Sequence, residues 1–255
     1  MSKFIPCRTC PALKKESPKE GYYYDVKSGC PILIECDCHK KWRKEKELSA
    51  YYKISNINPN FNFYNYVGTN SILSKRCLES FANNFKNYVN RTMIYLYGPN
   101  GTQKTSLSMC TAKAIINKGY TVQYVLMNNL ISALVTETGA FKEDDEDTQR
   151  FLKRCRECDL LIIDESFDKS KVTLYKSGYQ IPFLDSFLRD RFELNNKSIM
   201  FISNIKPDNI ENAGYGRSLQ DLIVRNTTST LLEFYDNYIE CSNKNISPAD
   251  FFGVK

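Results

Sequence analysis

The sequence predicts an α/β fold in which a parallel sheet carries helices on both faces, with a small cysteine-rich unit before it. Two observations predict the sheet: apolar strands alternate with helices from about residue 70, and a glycine-containing turn follows the strand-like run Met93–Tyr97. Five of the ten cysteines fall within the first 38 residues, which predicts the separate unit. We expect residues 1–50 to form this unit, 51–70 a linker, and 71–255 the α/β domain.

The composition is that of a globular protein with a mild excess of positive charge. Hydrophobic residues make up 42% and charged residues 25% of the 255 residues, and the net charge is +6. The first 50 residues hold 11 Lys or Arg against 7 Asp or Glu, a balance that permits nucleic-acid contact but also suits a solvated surface. Neither a secretory leader nor a membrane-spanning run is visible, so we expect a cytoplasmic protein with reduced cysteines.

The spacing of the early cysteines predicts a zinc site. Cys7-x-x-Cys10 has the spacing that places two thiolates on one ion, and Cys36-x-Cys38 supplies a second pair. Four protein ligands close a tetrahedral site, so the zinc would be structural. The alternative is that these residues are reduced cysteines that pack as small apolar side chains.

A hairpin is predicted between the two cysteine pairs. Gly21–Val26 and Pro31–Glu35 have the composition of short strands that flank a turn. Cys30 and His39 stay open as substitutes for one of the four thiolates.

Weaker signals lie outside these motifs. The charged stretch His39–Glu47 predicts a short surface helix, in which Trp42 favours a partner contact over a plain charged linker. The Asn-rich run Ile54–Phe63 predicts an extended connector. We interpret Cys155-x-x-Cys158 as structural, with a redox pair as the alternative.

The strongest motif is GPNGTQKT, between the strand Met93–Tyr97 and a predicted helix Thr105–Asn117. This strand–loop–helix context is what a phosphate-binding loop requires, because backbone N–H groups of the loop and helix start bind anionic oxygens. Lys104 would reach the β- and γ-phosphates of ATP, and the Thr105 hydroxyl would ligate Mg²⁺. The expected nucleotide contacts are Gly98, Pro99, Asn100, Gly101, Thr102, Gln103, Lys104, Thr105 and Ser106.

One position of the loop departs from the motif. Gln103 stands where the motif G-x-x-x-x-G-K-[S/T] has its second glycine, and a side chain there can hinder the backbone conformation or the close approach that glycine allows. The sequence therefore predicts weaker nucleotide binding or an altered loop path, and a decayed loop is the alternative.

Two further strands end in polar residues suited to phosphate chemistry. The apolar run Asp159–Asp164 is followed by Glu165, and ligands bind outside the carboxyl ends of such strands. Asp164 would hold Mg²⁺ through water, and Glu165 would act as general base on the attacking water. The strand Ser198–Ser203 ends in Asn204, which would position that water, although asparagine also favours turns.

Phosphoryl transfer gains from a cation that a neighbouring subunit often supplies. Arg225 is our first candidate for this role, and Arg189, Arg191 and Arg217 are further ones. Basic and aromatic residues after the Asp-Glu tip suit a single-stranded DNA surface or an ordinary loop: Lys169, Lys171, Tyr175, Lys176 and Tyr179.

Together these residues resemble the DnaC-type helicase loaders, including bacteriophage versions, and the related DnaI proteins, which are AAA+ ATPases. The resemblance covers most of the chain. It rests on the order and spacing of the cysteine pairs, the Pro-containing run Ile54–Phe61, the phosphate loop, Asp164-Glu165 and Ser203-Asn204.

The resemblance implies an ATPase that converts ATP and water to ADP and phosphate and loads a replicative DNA helicase onto single-stranded DNA. The N-terminal unit would grip the helicase, and ATP-bound cores would assemble side by side. Glu233–Cys241 lacks the arginine of a second sensor, and with Gln103 this implies slow hydrolysis stimulated by a partner or DNA.

Three alternatives compete with a helicase loader. A transposition-regulator ATPase of the IstB kind would share the core but not the cysteine unit. A zinc-dependent adaptor with a vestigial ATP site would explain Gln103, but Lys104, Thr105, Asp164 and Glu165 oppose it. A metabolic kinase is the third, and no second substrate signature supports it.

Overall fold

The structure, a computed structural model, describes residues 4–14, 19–27, 30–64, 66, 72–137, 146–168, 180–234 and 252–253. The chain divides into two compact units, Met1–Ile54 and Ser55–Lys255, and each is described by itself. The predicted linker 51–70 and domain boundaries stay predictions, although the helix that holds the predicted surface stretch continues to Ile54.

The N-terminal unit is an antiparallel hairpin between helices. A helical turn α1 (Pro11–Lys14) precedes β1 (Tyr22–Lys27) and β2 (Cys30–Glu35), and helix α2 (Asp37–Ile54) follows. The strands pair from Tyr22 with Glu35 to Lys27 with Cys30, as the sequence predicts.

A small core holds this unit together. Phe4, Cys10 and Cys36 are buried, and Trp42 packs against them with Tyr23 and Cys38. The Trp42 ring lies 5.6 Å from the ring of Phe4. Trp42 therefore packs partly inside the unit, and its contact with a partner stays a prediction.

The second unit contains the predicted parallel sheet. Its five strands are β3 (Met93–Tyr97), β4 (Val122–Leu126), β5 (Leu160–Asp164), β6 (Ser198–Ser203) and β7 (Leu231–Glu233). They lie in the order β4-β5-β6-β3-β7, and every neighbouring pair is parallel. Because β5 and β6 are buried at every residue, both faces of the sheet must be covered.

Helices cover the two faces. Residues of α5 (Met127–Glu137), α6 (Glu146–Glu157), α7 (Gln180–Arg189) and α8 (Arg217–Thr227) share one apolar cluster with Tyr95, Leu161 and Phe201. Helices α3 (Ile72–Asn83) and α4 (Lys104–Asn117) pack on each other. Among the described helices, none has both the length and the apolar character to cross a membrane.

A buried arginine fixes the start of β5 and β6. Helix α7 continues as a π-helical turn, Asp190–Leu194, and this turn directs Arg191 into the interior, where it is 1% exposed. The guanidinium donates to the carbonyl oxygens of Cys155, Arg156, Cys158 and Ser198 at 2.8–2.9 Å. Arg191 is therefore a structural residue, and its candidacy for the trans-acting cation is wrong because no neighbouring subunit can reach it.

We expect Arg191→Met to lower the free energy of unfolding by at least about 3 kcal/mol, because several buried carbonyls lose their donor. Urea unfolding would measure the loss. The control is Arg150→Met on α6, whose ion pairs with Glu146 and Asp147 are exposed, and which should change stability by less than about 0.5 kcal/mol. Equal effects of the two substitutions would contradict the structural role.

Candidate nucleotide site and cysteine cluster

The predicted phosphate loop and acidic tip meet at one edge of the sheet. Strands β3, β5 and β6 are neighbours with parallel direction, so their carboxyl ends open into the same space. A cavity of about 440 Å³ lies there. Its lining residues are Asn100, Gly101, Gln103, Lys104, Thr105, Ser106, Tyr124, Leu126, Asp164, Glu165, Ile202, Ser203 and Asn204.

Two positions of the loop, Gly98 and Gln103, have a restricted environment or backbone conformation. A Cβ on Gly98 would lie 2.0 Å from the carbonyl oxygen of Phe234, so only glycine fits beside the end of β7. Gln103 occupies the left-handed region with φ 64° and ψ 22°, the conformation that glycine adopts without cost. The glutamine is thus accommodated with its side chain exposed, and the loop still leads directly into α4.

Lys104 begins α4 and folds back over the loop. Its Nζ lies 2.7 Å from the carbonyl oxygens of Gly98 and Pro99, and 3.2 Å from Thr102 Oγ1. The side chain is buried, and burial lowers the pKa of Lys104 to about 8. An anionic phosphate in the cavity would offset that burial cost, so the lysine is placed as a phosphate ligand requires.

Asp164 is the centre of the polar network on the other side of the cavity. Its Oδ2 accepts hydrogen bonds of 2.7 Å from both Thr105 Oγ1 and Tyr124 Oη, and its Oδ1 accepts from the backbone N–H of Glu165 at 2.7 Å. Asp164 is 5% exposed, so its charge needs these donors or a cation. A hydroxyl and a carboxylate in contact at the loop are a donor set that suits Mg²⁺.

Glu165 follows in a left-handed conformation with φ 52°. A non-glycine residue in this region is held there by its surroundings. Here Phe167 stacks on Tyr95 with ring centroids 6.4 Å apart, and Ser166 N–H donates to the carbonyl oxygen of Ile202 at 2.9 Å. These buried contacts anchor the chain just beyond Glu165. Glu165 itself lines the cavity.

Asn204 contacts the phosphate loop directly. Its Nδ2 donates to Asn100 Oδ1 at 2.9 Å, which joins the tip of β6 to the loop after β3. Both amides line the cavity, where a residue that positions an attacking water would have to lie.

A second cavity of about 280 Å³ shares Gln103 and Ser106 with the first. Its other walls come from the predicted linker 51–70 and from α4: Asn58, Asn60, Phe61, Asn62, Tyr66 and Cys110. No site was predicted in this linker from the sequence. Its asparagines and aromatic residues were a usable signal, since they suit a planar polar ligand.

The remaining arginine candidates lie on helices of the second unit. Arg225 on α8 pairs with Glu193 at 3.0 Å and has a side chain that is 67% exposed. Arg217 pairs with Asp221 at 3.7 Å, and Arg189 with Asp185 at 2.9 Å. Exposure leaves Arg225 able to meet another subunit, and its role in catalysis stays a prediction.

Several expected residues lie outside the part of the chain that the structure describes. They are Lys169, Lys171, Tyr175, Lys176 and Tyr179 of the predicted DNA surface, and residues 235–241 of the segment without a second sensor. Cys155 and Cys158 are buried near Arg191, and burial raises the pKa of both thiols, which suits the structural interpretation better than a redox pair.

The N-terminal cysteines come together in the first unit. The Sγ atoms of Cys7, Cys10 and Cys38 lie within 4.8 Å of one another and could hold a metal ion. Cys36 Sγ lies 3.3 Å from Cys38 Sγ, which in turn lies 3.3 Å from Cys10 Sγ. Thiolates on one tetrahedral zinc ion are about 3.8 Å apart, which suits the group of Cys7, Cys10 and Cys38. Cys36 contacts Cys38 but is not part of that metal-capable group, so its place as the fourth ligand stays a prediction.

His39, one of the two proposed substitutes, is engaged with other residues. His39 directs Nδ1 to Glu35 Oε1 at 2.7 Å, and its ring packs so closely on Gly21 that a Cβ there would be 2.3 Å away. Among the described residues His39 is not part of the metal-capable group. The side chain of Cys30 lies outside the described residues.

A phosphate loop, an acidic strand tip and a polar residue on the next strand define a P-loop nucleotide-binding protein, and the fold is that of the AAA+ class. Residues 32–174, more than half of the chain, match the family model described as IstB-like ATP binding protein. The chain therefore belongs to the IstB-like ATP-binding family. This is the family of the transposition-regulator alternative considered from the sequence.

Relatives and solved structures agree on the fold. DnaA, the chromosomal replication initiator protein of Campylobacter jejuni, is 27% identical over 171 residues, which are 65% of this chain and 36% of that protein. DnaA of Borrelia recurrentis is 26% identical over 214 residues, 83% of this chain and 40% of that protein. The chain thus spans well under half the length of these relatives.

Two structures extend the comparison. AMPPCP-bound DnaA from Aquifex aeolicus superposes with a TM-score of 0.54 at 20% identity, covering 70% of this chain and 51% of that one. The DnaC helicase loader superposes with a TM-score of 0.52 at 23% identity, covering 69% of this chain and 97% of that one. The predicted resemblance to helicase loaders is confirmed at the level of the AAA+ fold.

We expect nucleotide affinity to fall as pH rises through about 8, because the buried Lys104 loses the proton that phosphate binding requires. Titrating ADP binding from pH 7 to 9.5 would measure this. Lys104→Ala should bind at least 100-fold more weakly (about 2.7 kcal/mol) and lack the pH dependence. Wild-type affinity in Lys104→Ala would contradict the assignment of the loop.

Proposed function

We propose that this chain is a cytoplasmic ATPase that loads a replicative DNA helicase onto single-stranded DNA. The observation that supports it most is the convergence of Lys104, Thr105, Asp164, Glu165 and Asn204 on one cavity in a fold that covers 97% of the DnaC helicase loader. The placement of these five side chains around one cavity favours a working site over the vestigial site of the adaptor alternative.

ATP would enter with its phosphates against the loop and its base toward the cavity of Asn58, Phe61 and Tyr66. Stacking on aromatic rings and hydrogen bonds from amides are the interactions that a planar base requires. Loop N–H groups and Lys104 would bind the phosphate oxygens.

Hydrolysis would use the carboxylates on the opposite wall. Thr105 and Asp164 would hold Mg²⁺, which offsets the charge of the phosphate oxygens when bound. Glu165 would accept a proton from a water that Asn204 orients, while the water oxygen bonds to the γ-phosphorus and the bond to the β-phosphate oxygen breaks. ADP and inorganic phosphate leave, and the proton returns to solvent.

Completion of the site by a second copy would make hydrolysis conditional on assembly. Arg225, exposed on α8, is the cation that we assign to a neighbouring subunit. The strained Gln103 in the loop adds a reason for slow basal turnover, so the helicase or DNA would act as stimulators.

The N-terminal unit would provide the helicase contact, with zinc as its structural ion. Burial raises the pKa of Cys36 to about 12 without a cation, whereas a zinc ion among the four sulfurs would stabilise thiolates. In a unit whose core is as small as that around Phe4 and Trp42, a metal supplies stability that packing cannot.

A transposition regulator is the second candidate, because the family model that matches is the IstB-like one. Its partner would be a transposase instead of a helicase, with the same ATP site. The cysteine cluster favours the loader, since from sequence we expect the transposition regulators to lack it.

We expect purified protein to carry about one zinc ion per chain, and Cys10→Ser to lose it together with the fold of the N-terminal unit. Elemental analysis and thermal unfolding would measure both. Cys77→Ser, in the buried cysteine of α3 outside the cluster, should retain the metal. A wild-type protein that contains no metal, and whose melting profile is the same as that of Cys10→Ser, would exclude zinc.

The loader function predicts that the full chain with ATP places the replicative helicase of its own cell or host on circular single-stranded DNA. Glu165→Gln should bind ATP normally but hydrolyse it at least about 100-fold more slowly, because the general base is lost. That variant should hold the helicase without releasing it, as co-purification on DNA would show.

The outcomes separate the proposals. Lys104→Ala should not load the helicase, and serves as the nucleotide-free control. Absence of helicase binding by the wild type in either nucleotide state would overturn the loader proposal, and ATP-dependent binding of a transposase would favour the second candidate.

A further inference from the structure

Tyr124 brings a phenol hydroxyl into the nucleotide cavity that the phosphate-loop motifs do not account for. It lies on β4, and its Oη donates to Asp164 Oδ2 at 2.7 Å. Asp164 Oδ2 also accepts a hydrogen bond from Thr105 Oγ1, at 2.7 Å. No motif in the sequence predicts this contact, because the tyrosine lies 40 residues before the aspartate.

The sheet register explains why the two side chains meet. In the parallel ladder of β4 and β5, Tyr124 pairs with Ile162 and Leu126 pairs with Asp164. Residues two apart on a strand share a face, so Tyr124 and Asp164 point to the same side of the sheet. A tyrosine is long enough to cover the diagonal distance to the end of the neighbouring strand.

The chemistry of the hydroxyl fixes its role as a donor. A phenol has an ordinary pKa of about 10, so it carries its proton at neutral pH. At 2.7 Å from the carboxylate oxygen, the Tyr124 hydroxyl therefore donates a neutral hydrogen bond to Asp164.

Among the residues that the structure describes, three donors contact the Asp164 carboxylate, and each has a different origin. The Glu165 N–H holds Oδ1 and belongs to the backbone, while the Thr105 hydroxyl holds Oδ2 and is itself an expected Mg²⁺ ligand. Tyr124 is the third donor, and it comes from a strand outside the loop and the acidic tip. Without it, Oδ2 would be oriented only by a residue that the metal also orients.

We propose that Tyr124 is a positioning residue that orients the Asp164 carboxylate for Mg²⁺ and thereby makes nucleotide binding metal-dependent. This inference rests on the proposed ATP site. It assigns to β4, a strand that carries neither nucleotide motif, a part in the site through a hydrogen bond to the carboxylate. Outer-shell donors of this kind commonly change metal affinity by about 10–100-fold when removed.

The test compares ADP binding in excess Mg²⁺ and in EDTA for the full-length wild type and Tyr124→Phe. Phenylalanine retains the ring and removes only the hydroxyl, and a thermal melt checks that the fold is intact. We expect the ratio of the dissociation constant in EDTA to that in Mg²⁺ to fall about tenfold in the variant. The dissociation constant in EDTA should stay within about twofold of the wild-type value.

The matched control is Tyr95→Phe in strand β3 of the same sheet. The buried Tyr95 donates a part-buried hydrogen bond from Oη to the carbonyl oxygen of Ile205 at 2.8 Å, but the residue is not among those that line the cavity. Its Mg²⁺ ratio should match the wild type, since a purely structural loss has no metal-specific effect.

Three results would overturn the inference while leaving the ATP site intact. They are an unchanged ratio in Tyr124→Phe, an equal loss of affinity with and without Mg²⁺, or the same fall in Tyr95→Phe. Absence of ADP binding by the wild type itself would instead overturn the proposed ATP site, and the positioning role with it.

Discussion

The candidate site depends on the hydrogen bonds that the buried carboxylate of Asp164 accepts. A charge that is 5% exposed must be stabilised, and here the donors come from α4, from β4 and from the backbone after β5. Each donor is correctly placed only if the strands keep their order and register. The chemistry of one side chain thus ties together the phosphate loop, the acidic tip and a strand outside both motifs.

On the opposite wall of the cavity, the buried charge is the cation Lys104. Lys104 is buried against loop carbonyl oxygens, which stabilise it less well than an anion would, and its lowered pKa expresses that deficit. A cavity with a poorly compensated cation on one side and an orienting carboxylate on the other suits a phosphate chain with its metal. Gln103 accommodates this geometry in a left-handed conformation, so its departure from glycine changes the backbone energy and not the direction of the chain.

Motif-bearing elements were predictable from sequence, whereas contacts between distant elements were not. Strands Met93–Tyr97 and Ser198–Ser203 have the predicted bounds, because short apolar runs bounded by turns have few other folded outcomes. Arg191 shows the limit: its residue type suggested a catalytic cation, but a π-helical turn directs it into the interior to bind carbonyl oxygens. Helix α2 was longer than predicted, since charged residues alone do not mark where a helix ends.

The sequence by itself determined the P-loop class, the parallel sheet and the pairing of cysteines at metal-binding spacing, because each depends on local composition and short-range order. Tertiary structure decided which side chains share a cavity. The register between β4 and β5 brings Tyr124 to Asp164, and His39 packs on Gly21 outside the group of Cys7, Cys10 and Cys38. Asn58, Phe61 and Tyr66 line a second cavity together with residues of α4. These outcomes depend on strand order and packing across long sequence separations, which no local pattern records.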